Sequence, residues 1–361
     1  MAATHNRQSS IDLDSADRPF DNIINFRDVG RTINQLLGRR VLKEGLLYRS
    51  ARLDDASERD KRRLEEEYHI STIIDLRSST EHHMAATKHL SESETPTHAF
   101  CNAASDDTEI VSAAAPTTSS SAASAAAVTT TTTATANPDN IHLVDLPHAQ
   151  RHLVSLTGRA FERTLLWRLD WWNFLKVIAL AASGYRTDAV IIVGQQVMSP
   201  RGLIGLGIDT LDSSFGEMKE IFEVLAGGGE TSVSLDHSTS NGSTSSSNAA
   251  SPYPVIVHCT QGKDRTGLII LLLLLLTGTV PQNAIRADYV LSEGELVVEA
   301  EERMKEIRML GLSEDYTKCP EGFTAQICAH LESRYGGVSG YLKQVGIDEV
   351  KLERIRKNLL A

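Results

Sequence analysis

The chain has 361 residues, an ordinary apolar fraction of 41% and a formal net charge of −11. This length is enough for one large domain or two ordinary ones, each with a buried core. The negative charge excludes nucleic acid as a general partner, although a local basic loop on an acidic protein still attracts anions.

The four cysteines are too few and too scattered for a disulfide framework, and none has the paired spacing of a zinc site. We therefore expect no metal and no cofactor. The polar N-terminus lacks the apolar core of a signal peptide. The apolar runs 171–193 and 268–276 are interrupted by charge or shorter than the about 20 residues that a membrane span needs. The sequence predicts a cytoplasmic protein with no transmembrane segment and leaves peripheral membrane contact open.

One domain is predicted over residues 20–361, behind a polar tail of residues 1–19 whose composition indicates disorder. Two low-complexity tracts, at about 103–138 and 227–252, are rich in Ser, Thr, Ala or Gly. They cannot bury enough apolar surface to offset the entropy of ordering them. Because loops tolerate such lengthening at small cost, we interpret both tracts as surface insertions.

Apolar and β-branched runs predict the strands, which all come before the cysteine loop. We expect Thr72–Leu76 to lie beside Val255–Val257 in one sheet. A charged helix should precede Thr72, with Ser57 as its N-cap. The other predicted strands are two short ones at 25–30 and 41–50, around a turn near Gly38, and one at 141–147.

Helical patterns dominate the remainder and complete an α/β fold, a central sheet with helices on both faces. Trp171 and Trp172, at the start of one helical stretch, are expected to be core or cap residues. The predicted helices cover 158–197, 215–225, 281–292, 293–309, 322–335, 340–344 and 348–360.

The stretch Val255–Gly267 combines a buried strand, a cysteine, an arginine and an apolar helix. Unpaired N–H groups at a helix start, together with the helix dipole, favour an anion there. These groups would hold Cys259 as a thiolate. Arg265 offers a planar fork that binds two phosphate oxygens at once. The layout is that of a cysteine-dependent phosphatase.

The spacing Cys-x5-Arg occurs often by chance, but here a buried strand precedes it, Gly262 lies in mid-loop and a long apolar helix follows. A nucleotide-binding P-loop is excluded. That motif needs Gly five residues before its Gly-Lys pair and Ser or Thr after the Lys, whereas Val257 and Asp264 occupy these positions.

At this point the chain resembles the tyrosine phosphatase family of bacterial and fungal proteins, over about residues 20–361 apart from the two tracts. The sequence departs from the family pattern at Arg31, where a second Gly is expected, and in the unusual tracts. The resemblance rests on these blocks: Asn25–Asp28, Leu47–Ser50, Asp75–Ser78 with Glu81, His258–Gly267, Ala287–Tyr289 with Ser292, and Tyr335–Gly336 with Gly340–Leu342.

Chemistry assigns Cys259 as the nucleophile that forms a phosphocysteine, and Arg265 as the cation that stabilises the equatorial oxygens. His258 is expected to brace the loop and help keep the sulfur ionised. Thr266 is placed to donate a hydrogen bond to the departing sulfur. The remaining predicted phosphate contacts are Thr260, Gln261, Gly262 and Lys263. Lys263 also resembles the loop lysine of lipid-type phosphatases.

Three aspartates compete for the role of general acid. The family pattern favours Asp264, inside the loop, and Asp75, at the end of a neighbouring strand, about equally. Asp145 stands where more distant tyrosine phosphatases often carry the acid, and we rank it lower.

The sequence predicts a phosphomonoester hydrolase, with phosphotyrosine protein as the leading substrate and dual specificity left open. One alternative is a phosphoinositide or inositol-phosphate phosphatase, suggested by Lys263. The other is a catalytically silent phosphate-binding module, which the intact Cys259 and Arg265 disfavour.

Overall fold

The computed structural model of the protein describes residues 20–93, 140–227, 251–309 and 311–361. The predicted tail and the predicted insertion 103–138 lie outside the described residues. The second predicted insertion, 227–252, does so except at its ends. The interpretation of both tracts as insertions therefore stays a prediction.

The described residues divide into two compact units. Residues up to Glu81 and from Leu143 onward form the first unit, which contains Cys259. Residues between His82 and His142 form the second, in which Nδ1 of His82 lies 3.0 Å from Nε2 of His142. The single phosphatase domain expected from the sequence stays a prediction.

A five-stranded sheet in the order β1-β2-β5-β3-β4 forms the centre of the first unit. β1 is antiparallel to β2, and all other neighbours are parallel. The pairing of β3 with β5 confirms the predicted neighbours. The strands are β1 (Arg27–Asp28), β2 (Leu47–Ser50), β3 (Thr72–Asp75), β4 (Gln150–Leu153) and β5 (Val255–His258).

The three central strands end at the same level. Ser50 of β2 and Asp75 of β3 both pair with His258 of β5. In open α/β sheets, ligands bind beyond the carboxyl ends of the strands. The loop that begins at Cys259 therefore starts in the middle of the edge where a ligand is expected.

β5 is buried on both faces, which explains its uninterrupted apolar run. Val255 and Val257 belong to the main core, whereas Ile256 packs with Ile73 and Tyr48 in a second core on the other face. Apolar side chains alternate across the sheet as the period of a strand requires.

Helices cover both faces of the sheet and confirm the predicted α/β class. α9, which follows the cysteine loop, is buried along most of its length in the main core. The helices are α1 (Val29–Leu37), α2 (Glu58–Arg62), α3 (Ser79–Ser93), α4 (Arg159–Trp167), α5 (Trp171–Ala182), α6 (Arg186–Val193), α7 (Ser199–Ser213), α8 (Phe215–Leu225), α9 (Asp264–Thr277), α10 (Gln282–Glu295), α11 (Ala300–Met309), α12 (Phe323–Tyr335), α13 (Val338–Val345) and α14 (Glu349–Leu359).

The predicted N-cap of α2 is confirmed. Ser57 accepts a hydrogen bond from the N–H of Asp60, and the Asp60 carboxylate accepts one from the N–H of Ser57. This reciprocal capping box satisfies two backbone donors at the start of the helix. α2 continues as a π-helical turn, Arg63–Glu67, so the charged helix precedes Thr72 as predicted.

Two predictions about local structure were wrong. The turn near Gly38 is the end of helix α1, because Asp28 caps its start by accepting from the N–H of Arg31 and Gly38 closes it with φ 62°. Residues 141–147 form turns and irregular structure, and the sheet position is taken instead by β4. Propensity located an extended segment there but misplaced it by several residues.

The expectation that Trp171 and Trp172 are core or cap residues was also wrong. They are 67% and 79% exposed. Asp170 supplies the cap of α5 by accepting from the N–H groups of Trp172 and Asn173, and Val177 is the buried residue of the helix. The two indoles therefore remain on its outer side.

Among the described residues, one helical stretch, Asp188–Ser213, is long and apolar enough to cross a membrane by length and composition alone. It is interrupted at Gly202, where φ is 61°. Near its end, Asp209 is buried and ion-paired with Arg168 and Arg201. The Tyr341 hydroxyl donates to the Leu211 carbonyl, so the last turns pack in the main core. This stretch is therefore a weak candidate for a span.

Candidate active site

The loop between β5 and α9 surrounds the sulfur of Cys259. The side chain is almost fully buried, and the N–H of Gly262 donates to Sγ at 3.2 Å. Gly262 has φ 66°, and a Cβ atom there would lie 2.1 Å from the carbonyl oxygen of Ser50. Only glycine fits, because both the backbone angle and the close approach exclude a side chain.

Hydrogen bonds from outside the loop hold its carbonyl groups. The Gln261 carbonyl accepts from Nδ2 of Asn25 at 2.9 Å, and the Thr260 carbonyl accepts from the N–H of Arg52 at 3.1 Å. The Gly262 carbonyl accepts from Arg49 at 2.7 Å. In a planar trans peptide, N–H points away from C=O. Because these carbonyls are turned outward, the N–H groups of the same peptides point inward, toward the sulfur, where a bound phosphate would lie.

Arg49 is part of a buried ion cluster beneath the loop. The carboxylate of Asp288 lies 2.8 Å from Nε of Arg27 and 2.5 Å from Nη1 of Arg49. Burial alone would raise the pKa of Asp288, but the two arginines hold it below its ordinary value. Burial, with repulsion from Arg27, lowers the pKa of Arg49 to about 10. Both arginines contact protein groups, as buried structural braces do.

Arg265 is held by Glu81. Nη1 lies 2.6 Å from Oε2 and Nη2 lies 2.6 Å from Oε1, the bidentate arrangement that fits a carboxylate best. Burial alone would raise the pKa of Glu81, but the charge and hydrogen bonds of Arg265, with smaller contributions from Thr260 and the Ser78 N–H, lower it to about 2. The guanidinium plane is therefore fixed before any substrate binds.

Glu81 is the functional residue whose role sequence reasoning missed. The Ser78 hydroxyl accepts from the N–H of Glu81, and the Glu81 carboxylate accepts from the N–H of Ser78, which forms a capping box at the start of α3. Thr260 also donates to Glu81, at 2.5 Å. The Ser-x-x-Glu spacing directly after a strand was visible in the sequence and is the signal that marks Glu81.

His258, predicted to brace the loop, is fully buried between the sheet and the loop. Its Nδ1 lies 3.3 Å from the Cys259 carbonyl oxygen and its Nε2 lies 3.5 Å from Oδ2 of Asp75. Burial lowers the pKa of His258 to about 4, against the opposing effect of the Asp75 charge. The imidazole is neutral at pH 7 and supplies no full positive charge to the sulfur.

Asp75 lies in a buried salt bridge. Arg77 donates to its Oδ1 at 3.0 Å and to its Oδ2 at 2.7 Å, and Arg77 also binds Asp54. The Asp75 carboxylate is inaccessible to solvent. This geometry suits a loop brace better than a group that exchanges a proton with substrate.

Asp264 is the first residue of α9 and is about one-third exposed. Its Oδ1 accepts from the hydroxyl of Tyr289 at 3.0 Å and lies 3.7 Å from Nζ of Lys263. Asp145 is exposed, in an irregular segment. Of the three predicted acids, Asp264 alone combines a place in the catalytic loop with access to solvent.

Lys263 extends from the loop into the protein. Its buried Nζ donates to the carbonyl oxygens of Tyr316 at 3.1 Å and Lys318 at 2.7 Å. A phosphate contact would require the ammonium to leave both carbonyls. Among the described residues, the buried hydroxyl of Thr266 has no hydrogen-bond partner, so it keeps a donor for a ligand or the sulfur.

The structure brings Cys259, Arg265, Gly262 and Asp264 together in one loop, while Asp75 and His258 support it from below. Within the described ranges, no group of three or more His, Cys, Asp or Glu side chains is placed to hold a metal ion. A buried sulfur that accepts from the Gly262 amide, beside a guanidinium held by Glu81, makes this loop a candidate anion site.

Residues 18–155 and 231–361 match the tyrosine phosphatase family. The match covers well over half of the chain, including the cysteine loop, and the chain belongs to this family. The intervening residues, 156–230, lie outside the match.

Two curated relatives are similar to part of this chain. A tyrosine-protein phosphatase of Nostoc commune is 34% identical over 116 residues, which are 29% of this chain and 38% of that protein. The triple specificity protein phosphatase PtpB of Mycobacterium tuberculosis is 31% identical over 125 residues, 30% of this chain and 44% of that protein. The chain thus matches less than half the length of either relative.

Proposed function

We propose that this protein is a cysteine-dependent phosphatase that hydrolyses phosphomonoesters on proteins, phosphotyrosine first among them, through a phosphocysteine. The observation that carries the proposal is the loop in which the Gly262 amide points at the Cys259 sulfur while Glu81 fixes Arg265. Family membership and the printed names of both relatives support the same reaction class.

In the first step the Cys259 thiolate attacks phosphorus in line with the ester oxygen. The S–P bond forms as the P–O bond breaks, so one difficult displacement becomes two easier ones. Loop amides and the Arg265 guanidinium stabilise the negative charge on the equatorial oxygens. The pre-formed bidentate pair with Glu81 means that this guanidinium needs little reorganisation during the reaction.

The leaving oxygen takes a proton from Asp264 in its protonated form. The resulting carboxylate then takes a proton from the water that attacks the phosphocysteine. That second attack breaks the S–P bond, releases inorganic phosphate and restores the thiolate. The free hydroxyl of Thr266 is available to donate to the sulfur as it departs.

Phosphotyrosine leads the substrate ranking because the family and one relative carry that name. Lys263, the residue that suggested phosphoinositides, is engaged by two protein carbonyls. A panel of phosphotyrosine peptides, phosphoserine peptides and inositides ranks these substrates directly. We also propose a reducing, cytoplasmic setting, which keeps Cys259 a thiol; all three described cysteines are free.

The mechanism is tested with a generic aryl phosphate in EDTA. We expect turnover by the wild type, none by Cys259→Ser, and normal turnover by Cys328→Ser, a matched change of a free cysteine outside the loop. Cys259→Ser should retain binding of phosphate esters. Turnover that survives Cys259→Ser would refute the mechanism, and a wild type that binds but never turns over would identify a silent binding module.

A further inference from the structure

An exposed aromatic surface lies on the helices outside the family match. We call it the tryptophan face; it consists of Trp167, Trp171, Trp172, Leu175, Ile178 and Tyr185. Trp167 is 80% exposed, more than either of the other two tryptophans. Within this set, Trp171, Leu175 and Ile178 share one side of a helix; large apolar side chains exposed together mark an interaction site, whereas single exposed ones are ordinary.

α5 is apolar on both its inner and its outer side. Phe174, Val177 and Leu180 pack inward in a cluster with neighbouring helices. Trp171, Leu175 and Ile178, spaced by four and three residues, lie together on the outer side and are exposed. Lys176 is the only charged residue of the helix. A helix that is apolar all round belongs in a core or in lipid, so the outer side requires a cover.

The charge of the residues near this face indicates what kind of surface binds it. Residues 159–188 contain five basic and three acidic residues, and Arg168 among the basic ones is paired with Asp209, in a chain whose formal net charge is −11. Tryptophan and tyrosine favour the boundary between water and acyl chains, and basic residues beside them are attracted to anionic headgroups. Exposed tryptophans combined with a local positive charge on an acidic protein match a lipid surface.

The contacts of the neighbouring helices favour a helix that lies on the membrane over one that crosses it. The stretch after α5 is interrupted at Gly202, and the buried Asp209 is ion-paired there with Arg168 and Arg201. Its far end therefore remains with the catalytic core. The tryptophan face, which precedes this stretch in the chain, is exposed and available to lipid.

The same helices contact the segment that holds the catalytic loop. The hydroxyl of Tyr316 donates to the carbonyl of Met198, while the carbonyl of Tyr316 accepts from Lys263. Met198 also packs with Tyr316 in a small apolar cluster. Docking through the tryptophan face would thus place the catalytic loop at a fixed position relative to the membrane.

We propose that the tryptophan face docks the enzyme peripherally on anionic membranes. This inference goes beyond the proposed phosphatase function and does not depend on turnover.

The test is co-sedimentation with vesicles of phosphatidylcholine, alone or mixed with phosphatidylserine, on a Cys259→Ser background so that vesicle binding is measured without turnover. We expect binding to the mixed vesicles that weakens with added salt. The double change Trp171→Glu and Trp172→Glu should reduce the partition coefficient by roughly tenfold or more. Val350→Glu, which alters a 70% exposed residue on α14, is the matched control and should bind like the parent.

The double tryptophan variant with Cys259 intact should hydrolyse the soluble aryl phosphate at the wild-type rate, which shows that it folds. Equal sedimentation of parent and variant would overturn the proposal. So would a wild type that ignores vesicles but forms dimers dissociated by the tryptophan changes, since the cover would then be a second copy of the chain.

Discussion

Glu81 and Arg265 meet through two parallel hydrogen bonds of 2.6 Å each, although 184 residues separate them. A capping box at the start of α3 fixes the carboxylate, and the first turn of α9 carries the guanidinium. The cation is therefore oriented by a residue outside the catalytic loop. The pair makes residues 78–81, which lead into α3, part of the active-site support.

Glu81→Gln should lower kcat by roughly 10- to 100-fold, because loss of the paired carboxylate lets the guanidinium move from its productive position. KM should change less, since Arg265 keeps its charge. Steady-state kinetics on an aryl phosphate measures both values. Glu66→Gln, at an exposed position, should leave both unchanged. A wild-type kcat in Glu81→Gln would contradict the positioning role.

Gly262→Ala should abolish activity and destabilise the fold, because its Cβ would overlap the Ser50 carbonyl at 2.1 Å. Gly278 provides a close comparison: its φ is 68°, yet nothing lies within 4 Å of the added atom. Gly278→Ala should cost about 1 to 2 kcal/mol, the backbone strain alone. Urea denaturation of both variants separates overlap from strain. Equal losses of stability in the two variants would mean that the loop around Gly262 shifts and relieves the overlap.

The two leading acid candidates should respond differently to amide substitution. Asp264→Asn should lose far more activity on an ester with a poor leaving group than on one with a good leaving group, because only the former needs a proton. Asp75→Asn should lose activity about equally on both and cost roughly 3 to 5 kcal/mol of stability, since Arg77 would lose a buried partner. A leaving-group dependence confined to Asp75→Asn would reverse the assignment.

The lowered pKa of His258 predicts how the free energy of unfolding changes with pH. Its pKa is about 4 in the folded protein and 6.5 in the unfolded chain, so the unfolded chain binds more protons between these values. The free energy of unfolding therefore has its full value above pH 6.5 and decreases as the pH falls toward about 4. The decrease due to His258 amounts to about 3 kcal/mol. Denaturation midpoints at pH 7.5 and pH 5 should differ less in His258→Asn than in the wild type. The exposed His148→Gln should behave as wild type; an unchanged pH dependence in His258→Asn would exclude this origin.

Lys263→Met should cost about 3 kcal/mol, because the carbonyls of Tyr316 and Lys318 lose a charged donor. The ratio of inositide to phosphopeptide turnover should stay constant, since the ammonium contacts protein. A selective loss of inositide turnover would restore the phosphate-contact role predicted from the sequence.

The candidate loop could be located in the sequence because the residues that define it lie close together. Cys259, Gly262 and Arg265 are separated by a few residues, and the flanking strand and helix have strong apolar patterns. The partners of the loop were harder to predict. Asp288 and Glu81 contact the arginines of the site through tertiary packing. Their separation along the chain does not indicate how close they lie in the fold.

The error at Trp171 and Trp172 has a similar origin. An apolar pattern indicates that a helix side avoids water, but it does not say whether protein or something else covers it. The missed helix α1 reflects competing local signals, because Gly38 suits both a turn and a helix end.

Asp288 also constrains the order in which the molecule matures. It accepts hydrogen bonds from Arg27 and Arg49, which precede it by 261 and 239 residues. During synthesis both arginines are made long before their shared carboxylate, and Cys259 is translated in between. A nascent chain that has just exposed Cys259 therefore still lacks Asp288, the carboxylate that neutralises the two arginines beneath the loop. Phosphatase activity should appear only after α10 has left the ribosome. Hydrolysis is then delayed until the ion cluster beneath the loop is complete.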